Sequence, residues 1–131
     1  MFYNCKNFNC DLSYWNVSNG EDFSGMFICC KNFNSDISDW DVSSCRDFSN
    51  MFYNCHKFNS DLSRWDVSNG LEFCGMFNCC LAFNSDLSRW NLELVENTDD
   101  ITHMFFGCKK LRFLKKIIRN WNKKFGLTYE Q

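Results

Sequence analysis

Ten cysteines, two histidines and a recurring aspartate–serine pair are the residues with the chemistry to bind a metal, attack a carbonyl or move a proton. Asp11, Asp36, Asp61 and Asp86 are each followed two residues on by Ser13, Ser38, Ser63 and Ser88. A catalytic acid/base pair needs two carboxyls in unlike environments, and equivalent copies of one carboxyl do not supply that. If the aspartates project alike, neighbours stand ~5 Å apart and repel by roughly 0.8 kcal/mol in water. Hydrogen bonds from serine hydroxyls and backbone N–H groups are the expected compensation, and a bound cation such as calcium is the alternative. Cys74, Cys79, Cys80 and His56 are the one thiol–imidazole grouping with metal-ligand chemistry, but no CxxC pair or established zinc spacing accompanies them. With no Gly-rich phosphate loop and no nucleophile–histidine set outside the recurring pattern, an enzyme is not expected, nor a cofactor.

The elements that must position these residues come from a repeat. Met-Phe pairs begin at 1, 26, 51 and 76, a strict 25-residue step, and a further pair begins at 104. A unit this short cannot bury its own apolar face, so the copies must stack. Phe23, Met26, Phe27 and Cys30, with their equivalents in later copies, fall at i, i+3, i+4 and i+7, which predicts one short helix per coil, α or 3-10. Ser18, Ser43 and Ser68 are its candidate N-caps. Polarity alternates around Leu12, Ile37, Leu62 and Leu87, which predicts a short strand per coil, paired in parallel about 4.8 Å from the next. The fold class predicted is therefore an α/β solenoid.

Other columns have structural readings. Asn9, Asn34, Asn59 and Asn84 are expected as buried turn residues bonding free backbone groups of their own and the next coil. Cys5, Cys30, Cys55, Cys80 and Cys108 form a ladder of inward thiols. Parallel side chains one coil apart hold their Cβ atoms beyond the ~3.5–4.5 Å a disulfide prefers, so free thiols and a reducing compartment are expected. The columns that differ between copies are where a partner would be read. These are Tyr14, Asp39, Arg64 and Arg89 before the tryptophan, and the two residues after each ladder cysteine, Lys6-Asn7, Lys31-Asn32, His56-Lys57 and Leu81-Ala82.

The pattern MFxxCxxFNxDLSxWDVSN, running from residue 1 to about 108, resembles the short repeats of BspA-like leucine-rich-repeat surface proteins. It is most similar to the variant shared with mycoplasma lipoproteins. That resemblance implies a right-handed, leucine-rich-repeat-like superhelix, a cell- or particle-surface location, and a role in adhesion or protein binding.

Charge and the two ends complete the reading. Residues 1–108 carry 6 basic and 15 acidic side chains, and residues 109–131 carry 8 basic and 1 acidic. An acidic body does not suit a nucleic-acid partner. No apolar run approaches the ~20 residues of a membrane span, and Lys6 and Asp11 interrupt any signal peptide. Leu111, Leu114, Ile118, Trp121 and Phe125 lie at helical spacing among lysines and arginines, so residues 109–131 are predicted to form a basic amphipathic cap over the last coil. Phe2, Phe8, Leu12 and Trp15 would leave an apolar face on the first coil, a site for self-association. The function expected is a non-enzymatic protein-binding module. The alternative is a structural part of a larger assembly, such as a viral particle, joined through the first coil and the basic tail.

Overall fold

A computed structural model describes residues 1–125; Gly126–Gln131 of the predicted cap, and the side chains of Thr102 and 122–125, with Phe125 among them, lie outside the described residues. Successive copies lie one on another. The amide of Phe2 donates to the carbonyl of Met26 at 2.8 Å, Phe27 to Met51 at 2.9 Å, Phe52 to Met76 at 2.9 Å, and Phe77 to Met104 at 3.1 Å. The coils themselves are built from turns. The α/β solenoid of leucine-rich-repeat type, with a helix and a paired strand in every coil, is not what forms. Among the described residues there is no sheet, and strand pairing is confined to single parallel bridges between Asp22 and Asp47 and between Asp47 and Glu72. Among the described residues helix is confined to α1 (Asp99–Thr102) and α2 (Leu114–Phe125), both near the C-terminal end.

The Met-Phe segment fails to become a helix because its amides divide their bonds. Met26, Ile28 and Cys30 donate three residues back, to Phe23, Gly25 and Phe27, while the alternate residues Gly25, Phe27 and Cys29 donate to Ser49, Met51 and Tyr53 of the next coil. Backbone conformation enforces the alternation. Gly25, Asn50 and Gly75 occupy one repeat position and Asn4, Cys29, Asn54, Cys79 and Gly107 another, all with positive φ. Two left-handed residues four positions apart in the segment stop a right-handed helix. The apolar i, i+3, i+4, i+7 stripe is still turned inward: Phe48, Met51, Phe52 and Cys55 are fully buried.

The FNxD(L/I)SxW segment fails to become a strand because side chains occupy the places of ladder partners. Asp11 Oδ1 accepts the amide of Ser13 at 2.9 Å and Asn16 Oδ1 that of Ser18 at 3.1 Å, so the chain turns at each. The same pair of turns follows at Asp36–Ser38 and Asp41–Ser43. Ser18, Ser43 and Ser68 are thus donors in these turns, not helix caps.

Aromatic rings fill the interior. Phe2, Phe27, Phe52, Phe77 and Phe105 form one stack with centroids 5.5, 5.7, 5.7 and 5.8 Å apart. Phe8, Phe33, Phe58 and Phe83 form a second at 5.7, 5.8 and 5.9 Å. Within a coil the two stacks touch, as at Phe52–Phe58, 4.1 Å apart. The buried tryptophans of the repeat donate Nε1–H to the carbonyl of the aliphatic column one coil back: Trp40 to Leu12, Trp65 to Ile37, Trp90 to Leu62.

The last coil keeps this register only partly. Phe105 stacks on Phe77, and the amide of Arg112 takes Asn84 Oδ1 at 2.8 Å. Helix α2 then replaces the remaining turns. Trp121 lies 6.4 Å from Trp90 and 5.9 Å from Phe105, nearly parallel to both. Ile117 is fully buried while Ile118 and Leu114 are half-buried, so the inward face of α2 is centred one residue earlier than its spacing predicts.

Candidate binding surface

Inward columns are identical between copies because each residue satisfies a fixed geometric demand. The ladder cysteines do more than fill space. Cys30, Cys55, Cys80 and Cys108 each donate Sγ–H to a phenylalanine carbonyl of the preceding coil, at 2.8, 3.0, 2.9 and 3.0 Å. Burial pushes the thiol of Cys45 up to about 11 and that of Cys108 up to about 12, and raises Cys30, Cys55 and Cys80 as well. Cys5, at the first coil, is exposed. All ten cysteines are free thiols.

The asparagine column bonds the next coil, but from the surface. The amides of Asn34, Asn59 and Asn84 donate to Oδ1 of Asn9, Asn34 and Asn59 at 2.7, 2.7 and 2.8 Å. Asn9, Asn34 and Asn59 are exposed and Asn84 is half-buried, which corrects the expectation of buried residues. A serine column that sequence reasoning passed over is the buried one. Ser35, Ser60 and Ser85 accept the amides of Leu12, Ile37 and Leu62 at 2.9, 3.1 and 3.1 Å. Its signal was present: a serine recurs there, and Cys10 holds the same place in the first copy.

The aspartate column turns outward at its carboxylates. The hydroxyl and amide of the serine two residues on hold Asp11 and Asp36 below the usual carboxylate range, and the amide and hydroxyl of Ser63 do the same for Asp61. Burial works against ionisation of Asp86, but the Lys116 ammonium 2.8 Å away and Ser88 outweigh it and lower Asp86 to about 2. Among the described residues no group of three or more His, Cys, Asp or Glu side chains is arranged to hold a metal ion, so Cys74, Cys79, Cys80 and His56 do not converge. In the acidic column at Asp22, Asp47 and Glu72, Ser24 and Ser49 bond the two aspartates in the same way, while the charge of Asp47 raises the Glu72 carboxyl.

The variable column stands clear of the body. Tyr14 and Arg89 are exposed, and Arg64 pairs with Asp39 at 3.0 Å with both side chains more than two-thirds accessible. Exposed pairs of this kind are worth about 0–1 kcal/mol, so the column is free to exchange partners.

At the first coil, Phe2, Phe8 and Trp15 are only half-buried. A groove of ≈ 320 Å³ opens there between Trp15, Val17, Phe23 and Met26. Leu12 does not belong to this face. It is 2% exposed and tied to the second coil, its amide donating to Ser35 Oγ and its carbonyl accepting from Trp40 Nε1–H. No helix of the described residues is long and apolar enough to cross a membrane.

Fold and surface together define a class: a stack of short turn-built repeats with a shared aromatic interior and copy-specific outer columns. Two overlapping stretches, residues 1–90 and 46–126, match the family model described as Mycoplasma protein of unknown function, DUF285, and the chain belongs to that family. No curated protein and no solved structure matches it.

Proposed function

We propose that the protein is a non-enzymatic protein-binding module of surface or adhesion type, presenting its copy-specific columns on a rigid stack. The observation that carries this reading is the contrast between columns. Interior positions repeat nearly unchanged, while the exposed column reads Tyr14, Asp39, Arg64, Arg89. Packing does not dictate those residues, so they are free to be selected by a partner. The resemblance to BspA-like surface repeats supports the same reading. The test is paired: wild type and an Arg64→Glu/Arg89→Glu variant serve as baits for cross-linking in the native host. The reading expects at least one protein recovered with wild type and lost with the variant, with identical melting curves; an unchanged set of captured proteins overturns it.

A second reading, assembly through the first coil, has the Trp15–Val17–Phe23 groove in its favour. Light scattering separates it from the first. Association that grows with concentration and is lost in Trp15→Asp supports it, and a monomer at all concentrations removes it.

A further inference from the structure

Charge on the stack is segregated by column. Repeat positions 4–9 of the first copy recur as residues 29–34, 54–59, 79–84 and 107–112, and none of these stretches holds an aspartate or glutamate. They hold six of the cations, Lys6, Lys31, Lys57, Lys109, Lys110 and Arg112, all exposed. None of the six side chains makes an ion pair or hydrogen bond among the described residues. This is unexpected on a body whose first 108 residues carry 15 acidic side chains.

The asparagine ladder runs along the same stripe. Asn9, Asn34, Asn59 and Asn84 commit Oδ1 to an amide of the following coil. Their Nδ2 groups, two donors each, have no partner among the described residues. The stripe is therefore lined by amide donors in the first four coils and by cations in every coil but the fourth, where Leu81 and Ala82 stand in their place. At its C-terminal end it widens into an open cavity of ≈ 510 Å³ bounded by Asn59, Asn84, Lys109, Lys110 and Arg112.

We propose that this stripe is a docking track for an extended acidic segment of a partner polypeptide. Carboxylates accept from both ammonium and amide donors, and charge-assisted bonds are the strong ones. Other polyanions fit less well. Single-stranded nucleic acid gains its affinity by stacking bases on exposed rings, and of the phenylalanines in this stripe Phe33, Phe58 and Phe83 are fully buried, leaving Phe8 of the first coil half-buried. A duplex or an anionic bilayer lying along the stripe would have to approach the aspartate column only two residues further along each of the first four copies. A narrow acidic chain avoids that repulsion. The inference rests on reading the protein as a binding module, but it uses different columns from that of Arg64 and Arg89.

The test is fluorescence anisotropy of a short labelled oligoglutamate titrated with the full chain at low salt. The proposal expects binding that weakens as salt is raised. It expects about tenfold weaker binding in Lys31→Glu/Lys57→Glu and in Lys109→Glu/Lys110→Glu, since a few exposed pairs together supply roughly that factor. Arg64→Glu/Arg89→Glu weakens probe binding less than either lysine pair does, which keeps this result separate from the host cross-linking. Melting curves confirm that each variant folds. No oligoglutamate binding, or binding unaffected by both lysine pairs, overturns the proposal. So does tighter binding of oligothymidylate or of phosphatidylserine vesicles, which would assign the stripe to nucleic acid or membrane.

Discussion

At the scale of single residues, the stack is held by polar groups that reach exactly one coil. Trp65 is the clearest case, a buried ring whose Nε1–H meets the Ile37 carbonyl at 3.0 Å. Trp65→Phe keeps most of the ring but leaves that carbonyl unpaired, and a loss of about 1–3 kcal/mol in denaturant unfolding is expected. Phe52→Ala, which opens a cavity between both ring stacks, is expected to cost about 3–5 kcal/mol in the same measurement. Thiol accessibility gives a second check that needs no substitution. Exposed Cys5, Cys10 and Cys74 should be alkylated first in the native protein, while Cys30, Cys55 and Cys80, buried and raised in pKa, should be protected until it unfolds. Mass spectrometry of timed alkylation reads that order directly; early labelling of Cys55 would contradict the inward ladder.

Elements are where sequence pattern and structure part. Which residues go inside was legible: the Phe, Met, Trp and ladder-cysteine columns are the core. What backbone carries them was not. An i, i+3, i+4, i+7 stripe fits a helix, but it fits equally a chain of turns whose every second amide bonds the neighbouring coil. The distinguishing signal was Gly25, Asn50 and Gly75 in one column and Asn4, Asn54 and Gly107 in another, residue types that tolerate positive φ. In the candidate surface, the variable column was legible because it varies, whereas the charge-pure stripe shows only when all copies are aligned on their coil. Gly75→Ala tests the left-handed position, since its φ is +67° and an added Cβ would collide with Asn50 Oδ1; destabilisation of about 1 kcal/mol or more is expected. The junction of α2 with the stack is tested by pH. Asp86 is depressed to about 2 from 3.8, so its contribution is complete above the ordinary carboxylate range and disappears as pH falls toward about 2. Lys116→Met should therefore melt earlier than wild type at neutral pH and alike at the acid end.

For the whole molecule, the stacked repeat makes stability a sum over coils and their contacts. Because the main inter-coil bonds join the same two repeat positions from one coil to the next, the chain should accept loss of one full unit and nothing else of similar size. Excising residues 51–75 joins Asn50 to Met76 and keeps both ring stacks, both ladders and the α2 cap in register. The most direct measurement of the central claim is thermal unfolding of that deletion, followed by near-ultraviolet circular dichroism, beside a deletion of residues 51–62 alone. The stack predicts a cooperative transition and a native aromatic signal for the in-register deletion, at a lower melting temperature than the full chain, and an unfolded product for the other. Collapse of the in-register deletion, or equal survival of both, would contradict it.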